Sequence, residues 1–296
     1  MGDFVFSIKH LCTCTGMSKV RTLTIMGALF LTFSCTQNKS VQDPIQSVTF
    51  TVNGEDFEMI QIQGGTFMMG CTDEQGCDCE DNEKPAHKET VSTFYMGKYE
   101  VTQKLWKAVM GSDSNPSANT GCDDCPVENV SWNEAHEFLS KLNALTGKTF
   151  RLPIETEWEY AARGGKRSEG YKYSGSNNID EVAWYVKNYQ EGGTGEMKTT
   201  HPVGLKKPNE LGLYDMSGNV WEWCEDTYTK EYYHDGKSVS PEWPLKGATL
   251  FFRRVLRGGS WGGTSLGCRV SYIDYDIGNY NDEYGGFRFA LDSNQE

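Results

Sequence analysis

Two acidic residues in the C-terminal half of the chain have a spacing that suits the binding of a hard metal cation. Asp215 and Glu222 lie seven residues apart, and Gly218 between them allows the backbone to turn. Calcium takes about six to eight oxygen ligands, and it accepts backbone carbonyls beside carboxylates. The segment is therefore a candidate calcium site, and the alternative is a loop that is held by hydrogen bonds alone.

Cysteines are the second group with chemical potential. Beyond the N-terminal region there are seven, which are Cys71, Cys77, Cys79, Cys122, Cys125, Cys224 and Cys268. In an exported protein such residues mostly form disulfides. Because seven is an odd number, at least one is free or paired elsewhere. We predict mostly disulfides among the first five, some of them joining the two loops in which they lie, with a zinc site as the alternative.

The N-terminal segment 1–35 has the pattern of an export signal. Lys19 and Arg21 form a basic region, and an apolar stretch follows that is too short to span a bilayer comfortably. It ends at Ser34-Cys35, which resembles the end of a lipoprotein signal, and a polar run comes next. We predict lipidation at Cys35, a lipid anchor and a place in the cell envelope, with an ordinary cleaved signal as the alternative.

Composition restricts the remaining possibilities. The net charge of -13 argues against binding to nucleic acid. Residues 36–47 read as a polar tether, and 48–296 as one domain. The 32 glycines and the 12% of aromatic residues favour a fold rich in turns, with large rings packed between irregular segments.

Periodicity and turn residues predict an α+β domain with a high content of irregular backbone. Four strands are predicted, at 48–52, 57–63, 66–69 and 90–96. Three helices are predicted, at 102–110, 131–146 and 155–162. The second of these begins with a capping box, Ser131 and Glu134. The third has Ile154 at the expected cap, so we predict that a shifted box of Thr156 and Glu159 starts it two residues later.

Seven strings occur in an order that resembles one protein family. They are GGTFMMG (64–70), YEVTQKLW (99–106), PVENVSWNEAHEF (126–138), RLPIETEWEYAARGG (151–165), PNELGLYDMSGNVWEWCED (208–226), RVLRGGSW (254–261) and GGFRF (285–289). Together they resemble the formylglycine-generating enzyme, or sulfatase-modifying factor, family. The resemblance implies a single compact domain related to the C-type-lectin fold. The same strings also have a purely structural interpretation. In it, Trp158, Trp221, Trp223 and Trp261 are core residues, and Gly258-Gly259 is a tight turn.

The resemblance also implies a chemistry. Family enzymes oxidise a sulfatase cysteine to formylglycine with oxygen and one copper(I) ion held by two thiolates, which are soft ligands suited to that ion. The two cysteines stand three and eight residues after the Ser of the Gly-Gly-Ser turn, which is Ser260 here. The eighth residue is Cys268, but the third is Gly263. Copper is therefore not expected, and Ser260 and Cys268 are catalytic candidates only if the protein is active.

For calcium, the resemblance implies the Asp215 and Glu222 side chains and the Gly218 and Val220 carbonyls as ligands. A second family site is doubtful, because Trp184 stands where its first ligand should be, although Asn188 is near.

With one thiolate position empty, a disulfide between Cys224 and Cys268 is a further expectation. A replacement copper ligand, His201 or His136, is an alternative without support in the sequence.

Two functions remain open at this stage. The first is a formylglycine-generating oxidase. The second is a non-catalytic binding or structural lipoprotein with a protein or peptide partner in the envelope. Because Gly263 cannot bind copper, the sequence favours the second.

Overall fold

The structure is a computed structural model that describes residues 44–188, 199–229 and 252–295. Residues Ile45–Glu296 form one unit by their internal contacts. The predicted signal, Cys35 and all but the end of the predicted tether lie outside the described residues. Within the described residues, helices and sheets are mixed with long irregular segments, as the α+β prediction requires.

The first sheet joins the two ends of the domain. Its strand order is β1 (Ser47–Val52), β2 (Glu55–Ile62), β5 (Phe94–Gly97) and β10 (Ala290–Asp292), and neighbouring strands are antiparallel. An Asn53-Gly54 turn links β1 to β2 with φ values of 48° and 86°, the left-handed pair that tight hairpins favour. The pairing of β10 with β5 fixes the C-terminal Gly-Phe-Arg-Phe string beside the first third of the chain.

A separate hairpin accounts for one wrong prediction. β3 (Gly65–Met69) pairs with β4 (His87–Val91) in a sheet of two strands. The stretch 90–96 was predicted to be one strand, but it is divided at Ser92-Thr93, and its second half is β5 of the first sheet. The apolar residues of this stretch belong to strands of two different sheets. Alternation of apolar and polar residues does not show where the first strand ends and the second begins.

The third sheet carries the candidate site. Its order is β8 (Asp274–Ile277), β7 (Arg253–Arg257), β6 (Trp221–Thr227) and β9 (Gly285–Gly286). The β6–β9 pair is parallel, and the other pairs are antiparallel. The Gly-Gly-Ser turn follows β7 directly, and Glu222 is the second residue of β6, so this sheet brings both candidate sites to neighbouring strand ends.

Four helices occur in the described residues: α1 (Gln103–Met110), α2 (Trp132–Thr146), α3 (Glu155–Ala162) and the short α4 (Ile179–Val182). The three predicted helices are confirmed, and α4 was missed. The predicted capping box of α2 is present: the Ser131 hydroxyl accepts from the Glu134 amide at 3.2 Å, and the Glu134 carboxylate accepts from the Ser131 amide at 2.8 Å.

The start of α3 differs from the prediction. The helix begins at Glu155, and Ile154 occupies the cap position without a side-chain acceptor. Glu157 accepts from the Ile154 amide at 3.1 Å, so only half of a capping box forms. Glu159 does not pair with Thr156, because its buried carboxylate accepts from Gly70 and from arginines.

A cap can therefore be restored by substitution. We expect Ile154→Thr to stabilise the domain by about 1 kcal/mol, because a threonine hydroxyl can accept from the Glu157 amide. The melting temperature should rise by roughly 2–4 °C for a domain of this size. Thr156→Ala is the control and should leave stability nearly unchanged. A loss of stability in Thr156→Ala, with no gain in Ile154→Thr, would show instead that the predicted capping box of Thr156 and Glu159 starts the helix.

The core confirms the structural reading of the aromatic residues. Trp158, Trp223 and Trp261 are buried, and Trp221 is partly buried and packs against the larger core cluster. Trp223 donates its indole N–H to the Val130 carbonyl at 2.8 Å, which ties the third sheet to the segment before α2. These rings hold the strand ends on which the site residues stand.

Candidate functional site

The Gly-Gly-Ser turn packs against Cys268 through its second glycine. Gly258 and Gly259 have φ values of 94° and 81°, so both need the left-handed region that glycine tolerates. A β-carbon on Gly259 would lie 2.8 Å from the Cys268 Sγ atom. The predicted tight turn is confirmed, and its second glycine is required by the thiol packed against it.

Cys268 is a buried thiol. Its neighbours form a small apolar cluster of Tyr173, Val182, Ala183 and Tyr185. The thiol donates weakly to the Thr264 carbonyl at 3.6 Å. Burial raises the pKa of Cys268 to about 12. At neutral pH the group is therefore protonated, and a protonated thiol is a poor nucleophile and a poor ligand.

Gly263 has backbone partners on both sides. Its amide donates to the Ser260 carbonyl at 2.9 Å, and its carbonyl accepts from the Val186 amide at 3.0 Å. A β-carbon at this position would meet its nearest atom, the Ser260 carbonyl oxygen, at 3.3 Å. The backbone would therefore accept a side chain with a small adjustment, and the missing ligand reflects the residue type rather than the fold.

The expected Cys224–Cys268 disulfide is wrong. Both residues are free, buried thiols. Cys224 packs in the cluster around Trp158 and Val255, whereas Cys268 packs in a different cluster. Burial also raises the pKa of the Cys224 thiol well above its usual value. Each sulfur is used as a small apolar group in its own part of the core.

The other cysteines form disulfides within loops rather than between them. Cys71 pairs with Cys79, and Cys122 with Cys125. Cys77 is exposed and free. The prediction of mostly disulfides is confirmed, and the expectation that some join the two loops is wrong. The spacing of eight and three residues allows each loop to close on itself.

The Asp215–Glu222 segment is a tight turn whose shape depends on close packing. Asp215, Gly218 and Asn219 have φ values of 56°, 82° and 65°. A β-carbon on Gly218 would lie 2.3 Å from the Trp184 carbonyl oxygen, so only glycine fits there. Val220 is fully buried at the end of this turn. The prediction that the backbone turns at Gly218 is confirmed.

The counter-ion of the Glu222 carboxylate is a side chain of the protein, the Arg288 guanidinium group. Arg288 donates to both Glu222 oxygens at 2.7 Å, and the Trp158 indole donates to one of them at 2.7 Å. Arg288 also donates to the Gly97 and Tyr214 carbonyls. The guanidinium group therefore balances a carboxylate in a fully buried position.

Two further carboxylates lie near this ion pair. Asp215 accepts from the Gly204 amide at 2.7 Å through Oδ2, while its buried Oδ1 atom has no hydrogen-bond partner. Burial raises the pKa of Asp215 to about 6. The pKa of Glu100 is raised well above its usual value by burial and by the charges of Asp215 and Glu222. Glu100 was not predicted from the sequence. The one feature that could have indicated its role is its position, as an acidic residue between Tyr99 and Val101 in the Tyr-Glu-Val-Thr string.

The predicted calcium ligands fit a cation only in part. The unpartnered Asp215 Oδ1 atom suits one, but the Glu222 carboxylate is already held by Arg288. Among the described residues, no group of three or more His, Cys, Asp or Glu side chains is arranged to hold a metal ion. Calcium at Asp215, Gly218, Val220 and Glu222 therefore stays a prediction, and no chemical step is derived from it.

Chelation tests that prediction. Calcium binding through Asp215 predicts a lower melting temperature in chelator, full recovery on adding calcium, and no response in Asp215→Asn. Magnesium at the same concentration is the control, because its smaller shell demands near-ideal octahedral geometry. An unchanged melting curve in chelator would exclude calcium and would leave the side-chain cations of the protein, Arg288 first among them, as the counter-charge.

The alternative ligand positions are occupied by other interactions. The Asn188 side chain bonds to the Tyr185 amide and the Ala183 carbonyl at 2.9 Å. The His201 ring stacks on Trp184 with centroids 3.7 Å apart. His136 lies 3.0 Å from the Glu225 carboxylate. All three side chains are therefore already engaged in contacts with other residues.

The motifs, the turn and the third sheet define a class of protein: domains built like formylglycine-generating enzymes. The model of the sulfatase-modifying factor enzyme 1-like domain matches residues 46–293, and the chain belongs to this family. The family prediction is thereby confirmed.

Three relatives illustrate the range of the family. Over 226 residues, 62% of this chain and 74% of the relative, the chain is 37% identical to the chaperone protein LppX of Paenibacillus barcinonensis. Over 163 residues, 53% of this chain and 47% of the relative, it is 37% identical to the formylglycine-generating enzyme of Streptomyces coelicolor. The solved Treponema denticola variable protein 1 superposes with a TM-score of 0.69 at 31% identity, covering 83% of this chain and 99% of that one.

The stretches that the structure describes contain no helix that is both long and apolar enough to span a membrane.

Proposed function

We propose that this protein is a non-catalytic member of its family that binds a protein or peptide partner at the cell envelope. The observation that carries the proposal is Gly263, which stands where the family's first copper thiolate is expected. One thiol without a partner binds copper(I) weakly, since this soft ion favours thiolate ligands in pairs. The resemblance to a relative named a chaperone supports a binding role.

A specific observation keeps the oxidase as the second candidate. Cys268 occupies the position of the family's second copper ligand, and it is free rather than consumed in a disulfide. Its burial and its raised pKa nevertheless oppose the thiolate form that copper requires. A formylglycine-generating oxidase would need a second ligand from another part of the chain.

Copper titration separates the two candidates. We expect the protein with its two disulfides intact, titrated with copper(I) without oxygen, to take up no stoichiometric tightly bound copper. A thiol count of the unreduced, unfolded mature protein should find three thiols, those of Cys77, Cys224 and Cys268. Tight copper binding at one equivalent, lost in Cys268→Ser, would favour the oxidase.

The envelope location belongs to the same proposal. The export signal and Cys35 support a lipid anchor. Mass spectrometry of the mature protein should then find a lipidated Cys35 as the first residue. An unlipidated protein that begins at Met1 and stays in the cytosol would exclude the anchor.

A further inference from the structure

A cleft of about 520 Å³ lies on a part of the domain that the Cys268 site does not reach. It is bordered by β2, the start of α1 and the segment 202–205. Its apolar lining is formed by Phe57, Val101, Leu105 and Phe289. Neither Ser260, Gly263 nor Cys268 contributes to its lining. The cleft is therefore distinct from the Cys268 site, has an apolar floor, and is also lined by the buried Glu100 of the carboxylate cluster.

The rim of this cleft is mainly acidic. Its exposed and half-buried carboxylates are those of Glu55, Asp56, Glu58 and Asp124, and Lys104 is the only cation among the lining residues. Lys98 pairs with Glu58 at 2.8 Å from just outside the lining. Four carboxylates thus face two ammonium groups, and the excess of negative charge favours a cationic ligand.

Lys104 shows how the rim holds a basic group. Its ammonium group lies 3.0 Å from a Glu55 oxygen and 3.1 Å from an Asp124 oxygen. These two carboxylates stand on different elements, the start of β2 and the loop closed by the Cys122–Cys125 disulfide. Hydrogen bonds to both raise the pKa of Lys104. The two walls are therefore spaced so that one ammonium group bridges them.

The side of the cleft formed by the segment 202–205 offers an apolar contact. Leu205 lines the cleft with 61% of its surface exposed, beside Pro202 and Val203. The backbone of this segment is fixed, because the Val203 amide donates to the Asp124 carbonyl at 3.0 Å. An exposed leucine beside an apolar floor would gain most from an apolar side chain of a ligand.

We propose that this cleft binds a peptide segment in which basic and apolar side chains are neighbours. A lysine or arginine of the ligand displaces Lys104 and lies between Glu55 and Asp124. An adjacent apolar side chain packs on Phe57, Leu105 and Phe289 under Leu205. This inference rests on the proposed binding function, and it adds the chemical class of the partner and the place where it binds.

Because the ligand must displace Lys104, the proposal predicts which substitutions tighten peptide binding and which weaken it. Fluorescence anisotropy with the purified protein compares a labelled peptide of alternating lysine and leucine with one of alternating glutamate and leucine. We expect the basic peptide to bind, with affinity falling as salt rises. Lys104→Met should tighten its binding by roughly fivefold, because the competing ammonium group is gone. Glu55→Gln with Asp124→Asn should weaken it by roughly fivefold or more.

The chain supplies a matched control. Lys107 is on the same helix and pairs with Asp123, but it does not line the cleft. Lys107→Met removes the same charge and should leave the affinity unchanged, and melting curves confirm that each variant is folded. Equal binding of both peptides, no binding of either, or equal effects of the two lysine substitutions would overturn this inference. None of these results affects the copper titration, so the non-catalytic proposal stands or fails separately.

Discussion

Replacing Arg288 with leucine is expected to destabilise the domain by roughly 3–5 kcal/mol. The substitution would leave the Glu222 carboxylate buried without its counter-charge, close to Asp215 and Glu100. Arg288 is fully buried and donates to both Glu222 oxygens at 2.7 Å. Two loop carbonyls would also lose their donor. Urea unfolding followed by tryptophan fluorescence measures the change.

An exposed ion pair provides the comparison. Lys207 lies 3.1 Å from Glu181, and the two side chains are 66% and 39% exposed. Lys207→Met should therefore cost less than about 1 kcal/mol. Adding Glu222→Gln to Arg288→Leu should recover part of the loss, because the buried carboxylate is then neutral. If Arg288→Leu costs no more than Lys207→Met, the buried charge balance described above is wrong.

The second large effect is a gain of metal affinity. We expect Gly263→Cys to raise the copper(I) affinity of the protein with its two disulfides intact by at least about a hundredfold. Loss of a residue that merely supports a metal ligand costs about 10- to 100-fold in affinity, so a restored ligand should count for more. The position has room, since a new β-carbon would lie 3.3 Å from its nearest atom. Cys268 is free to serve as the partner.

The pH dependence of this gain follows from burial. The pKa of Cys268 is raised to about 12, so copper must displace a proton from it at neutral pH. Affinity should therefore increase with pH across the neutral range. Gly263→Ser is the matched control, because it adds a side chain of similar size without a thiol, and it should gain nothing. Equal affinity in the serine and cysteine variants would show that this turn does not present the two positions to one metal ion.

Much of the fold could be predicted from the sequence because the family strings fix local geometry. The left-handed turn at 258–259 and the capping box of α2 are local backbone features, so their residue types were sufficient to predict them. Disulfide pairing was not accessible in the same way, because it depends on which sulfurs the fold brings together. Cys224 and Cys268 are both buried, but they belong to separate clusters.

Only part of the Asp215–Glu222 site could be predicted from the sequence, for a related reason. The Asp215 and Glu222 spacing indicates oxygen ligands, but it contains no information about a cation from elsewhere in the chain. Arg288 is 66 residues from Glu222 in sequence, and the parallel pairing of β6 with β9, which sets Glu222 opposite Gly286, places it there. The burial of Glu100 against the same turn is also a tertiary effect. Charge balance in a buried site therefore required the structure.

The most direct test of the central claim is an aldehyde assay. The purified protein is incubated with copper, oxygen and a sulfatase-type cysteine peptide, and any aldehyde is captured with an aminooxy probe and measured by mass spectrometry. The Streptomyces coelicolor relative, which is a formylglycine-generating enzyme by name, serves as the positive control. We predict no conversion above the background without protein, because Gly263 cannot supply the first thiolate. Robust conversion that is lost in Cys268→Ser would contradict this account and establish the protein as an oxidase.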